Sequence, residues 1–234
     1  MFGNPIFYTA WKNTIVYVLL SLVMGARVPI ALALIIKEMR GLSSFFQTIV
    51  YLPTWIPIVV GLLVWRQIYA PTGGILNSLL KLVNISPQLW LRDSHLANPA
   101  LIIIMTWIRA GGANLLYLYA LREIPPELFE AAELDGFSVF QCIRYLALPL
   151  LPYRIQIMLV LQIIPVAQVF TEPFILTSGG PASRTTSPVL EIHNIAFTNT
   201  DFGLASRWGV SMLVVLSLFS ILYVVFTGED LSKG

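Results

Sequence analysis

The sequence predicts an all-α membrane protein, and three observations carry that prediction. The first is composition: the chain is 57% hydrophobic and only 11% charged, with a mean hydropathy of +0.79. Soluble domains run near 45–50% apolar and about 25% charged, so burial inside one core would leave large sticky patches outside. The second is the length of the apolar runs, five of which approach the roughly 20 residues that a helix needs to cross the hydrocarbon. The third is periodicity: the runs lack the alternation of a barrel wall. In lipid each segment must satisfy its own backbone polar groups, which leaves helices.

Five spans are predicted at about 14–36, 45–65, 99–120, 154–176 and 207–226, forming one transmembrane domain over 1–234. The opening "MFGNPIFYTAWKN" has no basic n-region of a signal peptide and leads directly into the first run. The first loop, 37–44, is short and polar, and the second, about 66–98, carries the turn signals "APTGG" and "NISPQ" around an amphipathic "ILNSLLKLV". The fourth, 177–206, opens on "TSGGPAS", which reads as a turn more readily than as an anion nest. No internal repeat marks a solenoid or propeller. The positive-inside rule leaves orientation open. Lys37, Arg40, Arg122, Arg144, Arg154 and Lys233 fall on one side, and Lys12, Arg66, Lys81, Arg92, Arg184 and Arg207 on the other.

The third loop, 121–153, is the polar exception in this chain, with Glu130, Glu133 and Asp135 within six residues. Pro125-Pro126 suits the first turn of a helix, where a missing N–H costs nothing. Glu127 and Glu130 lie near that positive helix end. Gly136 stands where a left-handed C-terminal cap is expected, and Ser138 with Gln141 fits a capping box opening a second helix. Leu148-Pro149 stops that helix. The spacing places Phe129, Ala132 and Gly136 on one face, with Phe140 and Ile143 continuing an apolar stripe. Two readings of this elbow stand side by side: an ordinary interfacial loop held by its caps, or a docking helix for a soluble partner.

Several chemistries find no support. A net charge of +2 gives no nucleic-acid footprint. Cys142 is the one cysteine, which excludes an internal disulfide and reads as a small packing residue. His95 and His193 lack ligand-spaced partners and read as solvated loop residues, so no metal site is expected. "NIS" at 84–86 is read as a chance match to a glycosylation acceptor. No cofactor motif and no clustered catalytic set appear, and there is no Gly-x-x-x-x-Gly-Lys-Ser/Thr loop for phosphates.

"EAAELDGFSVFQCIRYLALPLL" (130–151) resembles the EAA loop of the integral membrane subunits of binding-protein-dependent ABC importers. The pattern falls on Glu130, Ala131, Ala132, Gly136, Leu146, Leu148 and Pro149. "LREIPPELF", "FILTSGGP" (174–181) and the run 45–80 are similar to stretches of the sugar-importing branch, of the maltose/glycerol-phosphate type. The chain departs from the pattern at Phe137 and at Pro152-Tyr153. The resemblance implies a permease subunit, not an enzyme, in a bacterial inner membrane. Its expected partners are a second permease subunit, an ABC ATPase dimer that hydrolyses the ATP, an extracytoplasmic solute-binding protein and the bilayer. Glu130, Ala131, Ala132, Gly136, Leu148 and Pro149 would form the ATPase-coupling element. It also implies a cytoplasmic EAA loop, hence with five spans an N-terminus outside, and an additional first helix that this chain is expected to lack.

Polar residues within the spans suggest the solute path: Arg109 and Asn114 on the third, with Gln162, Gln168 and Thr171 on or near the fourth. Sugar hydroxyls need such donors and acceptors. The glycine pair at 111–112 reads more readily as close helix packing. Arg27, inside the first span, needs protein or water around it, with Glu172 or a partner subunit as its candidate counter-charge. A secondary transporter or channel is the alternative from another class, and it would be expected to carry coupling carboxylates within its spans.

Overall fold

The structure is a computed structural model that describes residues 3–39 and 41–231. Arg40 and Lys233, counted above for orientation, lie outside the described residues, as does the side chain of Arg154. No strand occurs among the described residues.

Helices α1 (Pro5–Met24) and α2 (Arg27–Glu38) form a rod that is long and apolar from Pro5 to Lys37. It starts well before the expected residue 14 because the local chemistry starts it there. The Asn4 carboxamide oxygen accepts from the Ile6 N–H at 3.0 Å, and Pro5 opens the first turn. At the junction Pro29 has no N–H to return to the Gly25 carbonyl. Arg27 is exposed on the surface of this chain.

The second predicted span is broken. Helices α3 (Ser43–Trp55) and α4 (Ile58–Ile68) meet at 99°. Pro57 explains the break, since the residue before proline is pushed out of the helical region, and Ile56 is extended at φ −73°, ψ 128°. Helix α5 (Ile75–Leu82) follows in the second loop. Buried Asn77 fastens that loop, donating to the Gln88 carbonyl at 2.9 Å while its oxygen accepts from Gln88 N–H and Trp90 Nε1. Before α6 (Ala97–Arg122), the Asp93 carboxylate accepts from the N–H groups of His95 at 2.7 Å and Leu96 at 3.1 Å. Those bonds hold Asp93 below the ordinary carboxylate range.

Helix α6 is the axis of the molecule, and α1, α2, α3 and α9 pack around it. Gly111 permits a close approach of α3: a methyl group there would stand 2.6 Å from the Val50 carbonyl oxygen. Gly112 has open space at the same position. After the third loop, α9 (Pro152–Ala167) runs back along α1. Residues 168–170 interrupt the fourth predicted span, and α10 (Thr171–Leu176) starts after them. Helix α11 (Pro188–His193) passes through a π-helical turn, Asn194–Thr198, before the long α12 (Phe202–Leu231). By length and composition three helices can cross a membrane alone, or up to five if each bent pair is one span.

Buried side chains gather in three clusters. Tyr17, Leu62, Leu101 and Ile104 centre the first, and Ile36, Leu118, Leu121 and Leu151 the second. Phe7, Ala10, Ile195 and Trp208 form the third. Ile15, Leu63, Leu213 and Leu218 stand exposed on the outside, as a surface solvated by lipid allows.

Candidate functional site

The acidic loop folds as its local chemistry dictates. Helix α7 (Pro126–Leu134) ends at Gly136, which takes φ +80°, and the Phe137 N–H returns to the Ala132 carbonyl at 2.9 Å. This is the six-to-one bond of a glycine C-cap. Ser138 and Gln141 form the reciprocal capping box: the Ser138 N–H donates to Gln141 Oε1 at 2.8 Å, and the Gln141 N–H to Ser138 Oγ at 3.4 Å. The second piece is irregular. Helix α8 (Val139–Cys142) continues as a π-helical turn to Ala147 and a 3-10 turn through Leu148-Pro149.

The elbow has an anchored face and a presented face. Phe129 and Ile143 pack onto the cluster of Ile36, Leu121 and Leu151, and Lys37 of α2 places its ammonium 3.1 Å from the Phe129 ring centre. Glu130, Ala131 and Gly136 face outward, with Leu148 and Pro149 also exposed and Ala132 half-buried. The expected apolar stripe therefore divides, since Phe140 is exposed while Phe129 and Ile143 pack inward. Cys142 is buried, in keeping with a packing role. The side chain of Glu133 lies outside the described residues.

A second feature is a cavity of about 310 Å³ between α1, α6 and α9. Arg109, Gln162, Ser21 and Thr106 bring polar groups to it, among apolar neighbours such as Met105 and Leu161. Arg109 Nη2 donates to Glu172 Oε1 at 3.0 Å, and this pair corrects the Arg27–Glu172 alternative. Glu172 is buried at the start of α10 while Arg109 is about half-exposed, so the guanidinium can offer its remaining donors to the cavity. Gln162 Nε2 donates to the Ser21 carbonyl at 2.6 Å, against the α1–α2 junction, where a methyl group on Gly25 would collide with it.

The five polar residues expected together are not all together. Asn114, Gln168 and Thr171 do not line this cavity. Asn114 is buried and donates to the Pro29 carbonyl at 3.2 Å, tying α6 to α2. Gln168 is exposed and donates to the Ile164 carbonyl at 3.3 Å. Thr171 opens α10 beside Glu172. Helical spacing alone could not separate a residue that lines a space from one that plugs a neighbouring backbone.

The turn "TSGGPAS" is locked to the bundle from two sides. Asn13 Nδ2 donates to the carbonyls of Ser183 at 2.7 Å and Thr186 at 2.9 Å, and the Tyr17 hydroxyl to that of Thr185 at 2.9 Å. Ser187 Oγ donates to the Val169 carbonyl at 2.5 Å. Sequence reasoning passed over Asn13 and Tyr17, although a signal existed: Asn13, Tyr17 and Ser21 recur every fourth residue on one buried face. His193 is also not simply solvated. It lies among Phe170, Phe174 and Phe197, with ring centroids 5.2, 4.9 and 5.1 Å away. No group of three or more metal-ligating residues occurs among the described residues.

Comparison with known proteins places this geometry. Residues 25–228 match the family described as binding-protein-dependent transport system inner membrane component. A probable ABC transporter permease protein of Bacillus subtilis is 30% identical over 98% of this chain and 81% of its own length. The trehalose/maltose transport system permease protein MalF of Thermococcus litoralis is 31% identical over 92% of this chain and 73% of its own length. Among solved structures, a chain from a bacterial alginate ABC transporter, crystallised with its alginate pentasaccharide-bound periplasmic protein, superposes with a TM-score of 0.87. It shares 28% identity, over 97% of this chain and 80% of that one.

Proposed function

The chain belongs to the family of inner membrane components of binding-protein-dependent transport systems, and from that membership we propose how it works. It is a permease subunit of an ABC importer, a transport protein and not an enzyme. Membership sets aside the secondary-transporter alternative. Such a system implies an ATPase and a solute-binding protein as partners.

In the proposed reading the chain crosses the inner membrane five times, with the N-terminus outside and the 121–153 loop in the cytoplasm; three of its helices are long and apolar enough to cross alone. This subunit provides half of the path and a second permease subunit the other half. The solute class is carbohydrate, supported by the trehalose/maltose and alginate systems among its relatives. The cavity at Arg109 and Gln162 is the segment of path this subunit contributes. It offers amide and guanidinium donors beside apolar walls, the mixture that binds hydroxyl-rich molecules. Asn114, bonded to the Pro29 carbonyl, positions α2 against α6.

Coupling runs through the elbow. The ATPase grips the presented face at Glu130, Ala131, Ala132 and Gly136, with Leu148 and Pro149 ending the element. When the nucleotide-driven cleft closes, the short helix moves as a rigid body. Phe129 and Ile143 carry that movement into the cluster shared with α2, α6 and α9, which bound the cavity. One observation carries this reading: an elbow capped at its corner, by Gly136 ending α7 and by Ser138 with Gln141 opening α8, whose inner face is packed through Phe129 and Ile143 while Glu130, Ala131 and Gly136 stand exposed.

The test is a crosslink. A single cysteine at Ala131, in a Cys142→Ser background, is expected to join the ATPase subunit in assembled transporter, with a yield that changes on ATP binding. Labelling of that cysteine by an impermeant reagent from outside the cell overturns the reading.

A further inference from the structure

Helices α1 and α12 touch where the rings of Phe7 and Trp208 meet edge to face, centroids 5.0 Å apart. Beyond that contact a groove of about 890 Å³ opens between them. Its walls are Ile15 and Val16 of α1 with Val210, Val214 and Val215 of α12. Lys12 and Arg207 also line it, and no acidic residue does. Neither cation has an ion-pair partner among the described residues. Both are exposed, as are Tyr8, Ile15, Val210 and Val214, so the groove faces the outside of the bundle.

The two charges lie toward one end of the groove. Lys12 is two turns into α1 and Arg207 less than two turns into α12, and the Phe7–Trp208 contact sets those starts side by side. A cation within a span is costly unless it reaches the interface, and a lysine stem or an arginine can extend that far. Tyr8 and Trp11 beside them are the aromatic types that settle at headgroup depth. A protein helix covering this groove would answer the two cations only if it carried an acid of its own at headgroup depth. A phospholipid carries its phosphate at that depth already.

We propose that this groove binds one anionic phospholipid, with Lys12 and Arg207 holding the phosphate and an acyl chain lying along Val210, Val214 and Val215. The site is separate from the solute cavity and from the coupling elbow, and its test does not depend on either.

The assembled transporter is reconstituted in phosphatidylcholine bilayers with increasing phosphatidylglycerol, and bound lipid is counted by native mass spectrometry. One tightly retained phosphatidylglycerol per copy of this subunit is expected. Lys12→Gln with Arg207→Gln weakens its retention about thirtyfold, at about fivefold for each cation. Both side chains are exposed, so their loss leaves the core intact. Val214→Trp fills the groove, leaves the cations untouched and is expected to displace the lipid too. Phosphatidylglycerol carrying a photoreactive acyl chain should label residues 210–215. Unchanged retention in either variant, or absence of labelling at residues 210–215 by the photoreactive lipid, overturns the proposal.

Discussion

Arg109 and Glu172 stand 63 positions apart and meet through one hydrogen-bonded ion pair, Nη2 to Oε1 at 3.0 Å. The pair joins the central helix α6 to the short α10, at the edge of the cavity that Arg109 lines. It gives the buried carboxylate a counter-charge and leaves the arginine partly open to the cavity.

Replacing Arg109 by Gln therefore strands a buried acid. The expected cost is about 1–3 kcal/mol of stability, held below that of a fully buried pair because Arg109 is half-exposed. Glu172→Gln costs less, and the double variant recovers part of the loss of the first. Thermal unfolding in detergent measures this. If the single and double variants melt together, the pair does not hold α10.

The elbow separates strain from docking at a single residue. Gly136 has φ +80°, and a methyl group built there meets nothing within 4 Å. Gly136→Ala should cost about 1 kcal/mol of backbone strain and leave uptake near normal. Gly136→Trp carries the same backbone strain, and its Cβ likewise meets nothing of its own chain, so the expected effect beyond that of alanine, loss of uptake with ATPase activity uncoupled, arises at the partner. Normal solute uptake by the tryptophan variant would remove the coupling role.

Two adjacent glycines should respond oppositely. Gly111→Leu drives a side chain into α3 and is expected to lose at least 1–3 kcal/mol, with poor insertion into the membrane. Gly112→Ala has open space and should be tolerated. Expression level and melting temperature of the two variants compare them directly.

The capping box allows a conservative test of the second loop helix. Ser138→Ala removes the hydroxyl that accepts from the Gln141 N–H and costs about 1 kcal/mol, felt locally. Faster amide exchange confined to 138–145 is the expected sign. Unchanged exchange there would mean the box contributes nothing.

Much of the local structure was legible because it depends on neighbours along the chain. The C-cap at Gly136, the box at Ser138 and Gln141, and the all-helical class all follow from side chains a few residues apart. The break at Ile56-Pro57 carried its signal too, but an apolar run read for length alone concealed it. What the sequence determined by itself was this local order and the solvent it is built for, because caps, proline geometry and hydropathy act within one or two turns. Tertiary structure alone decided which polar group meets which. It gave Glu172 to Arg109, spent Asn114 on the Pro29 carbonyl, locked the "TSGGPAS" turn to Asn13 and Tyr17, and set Lys12 and Arg207 along one apolar groove. Those choices depend on which faces of distant helices pack together, and in a uniformly apolar chain helical periodicity does not encode that.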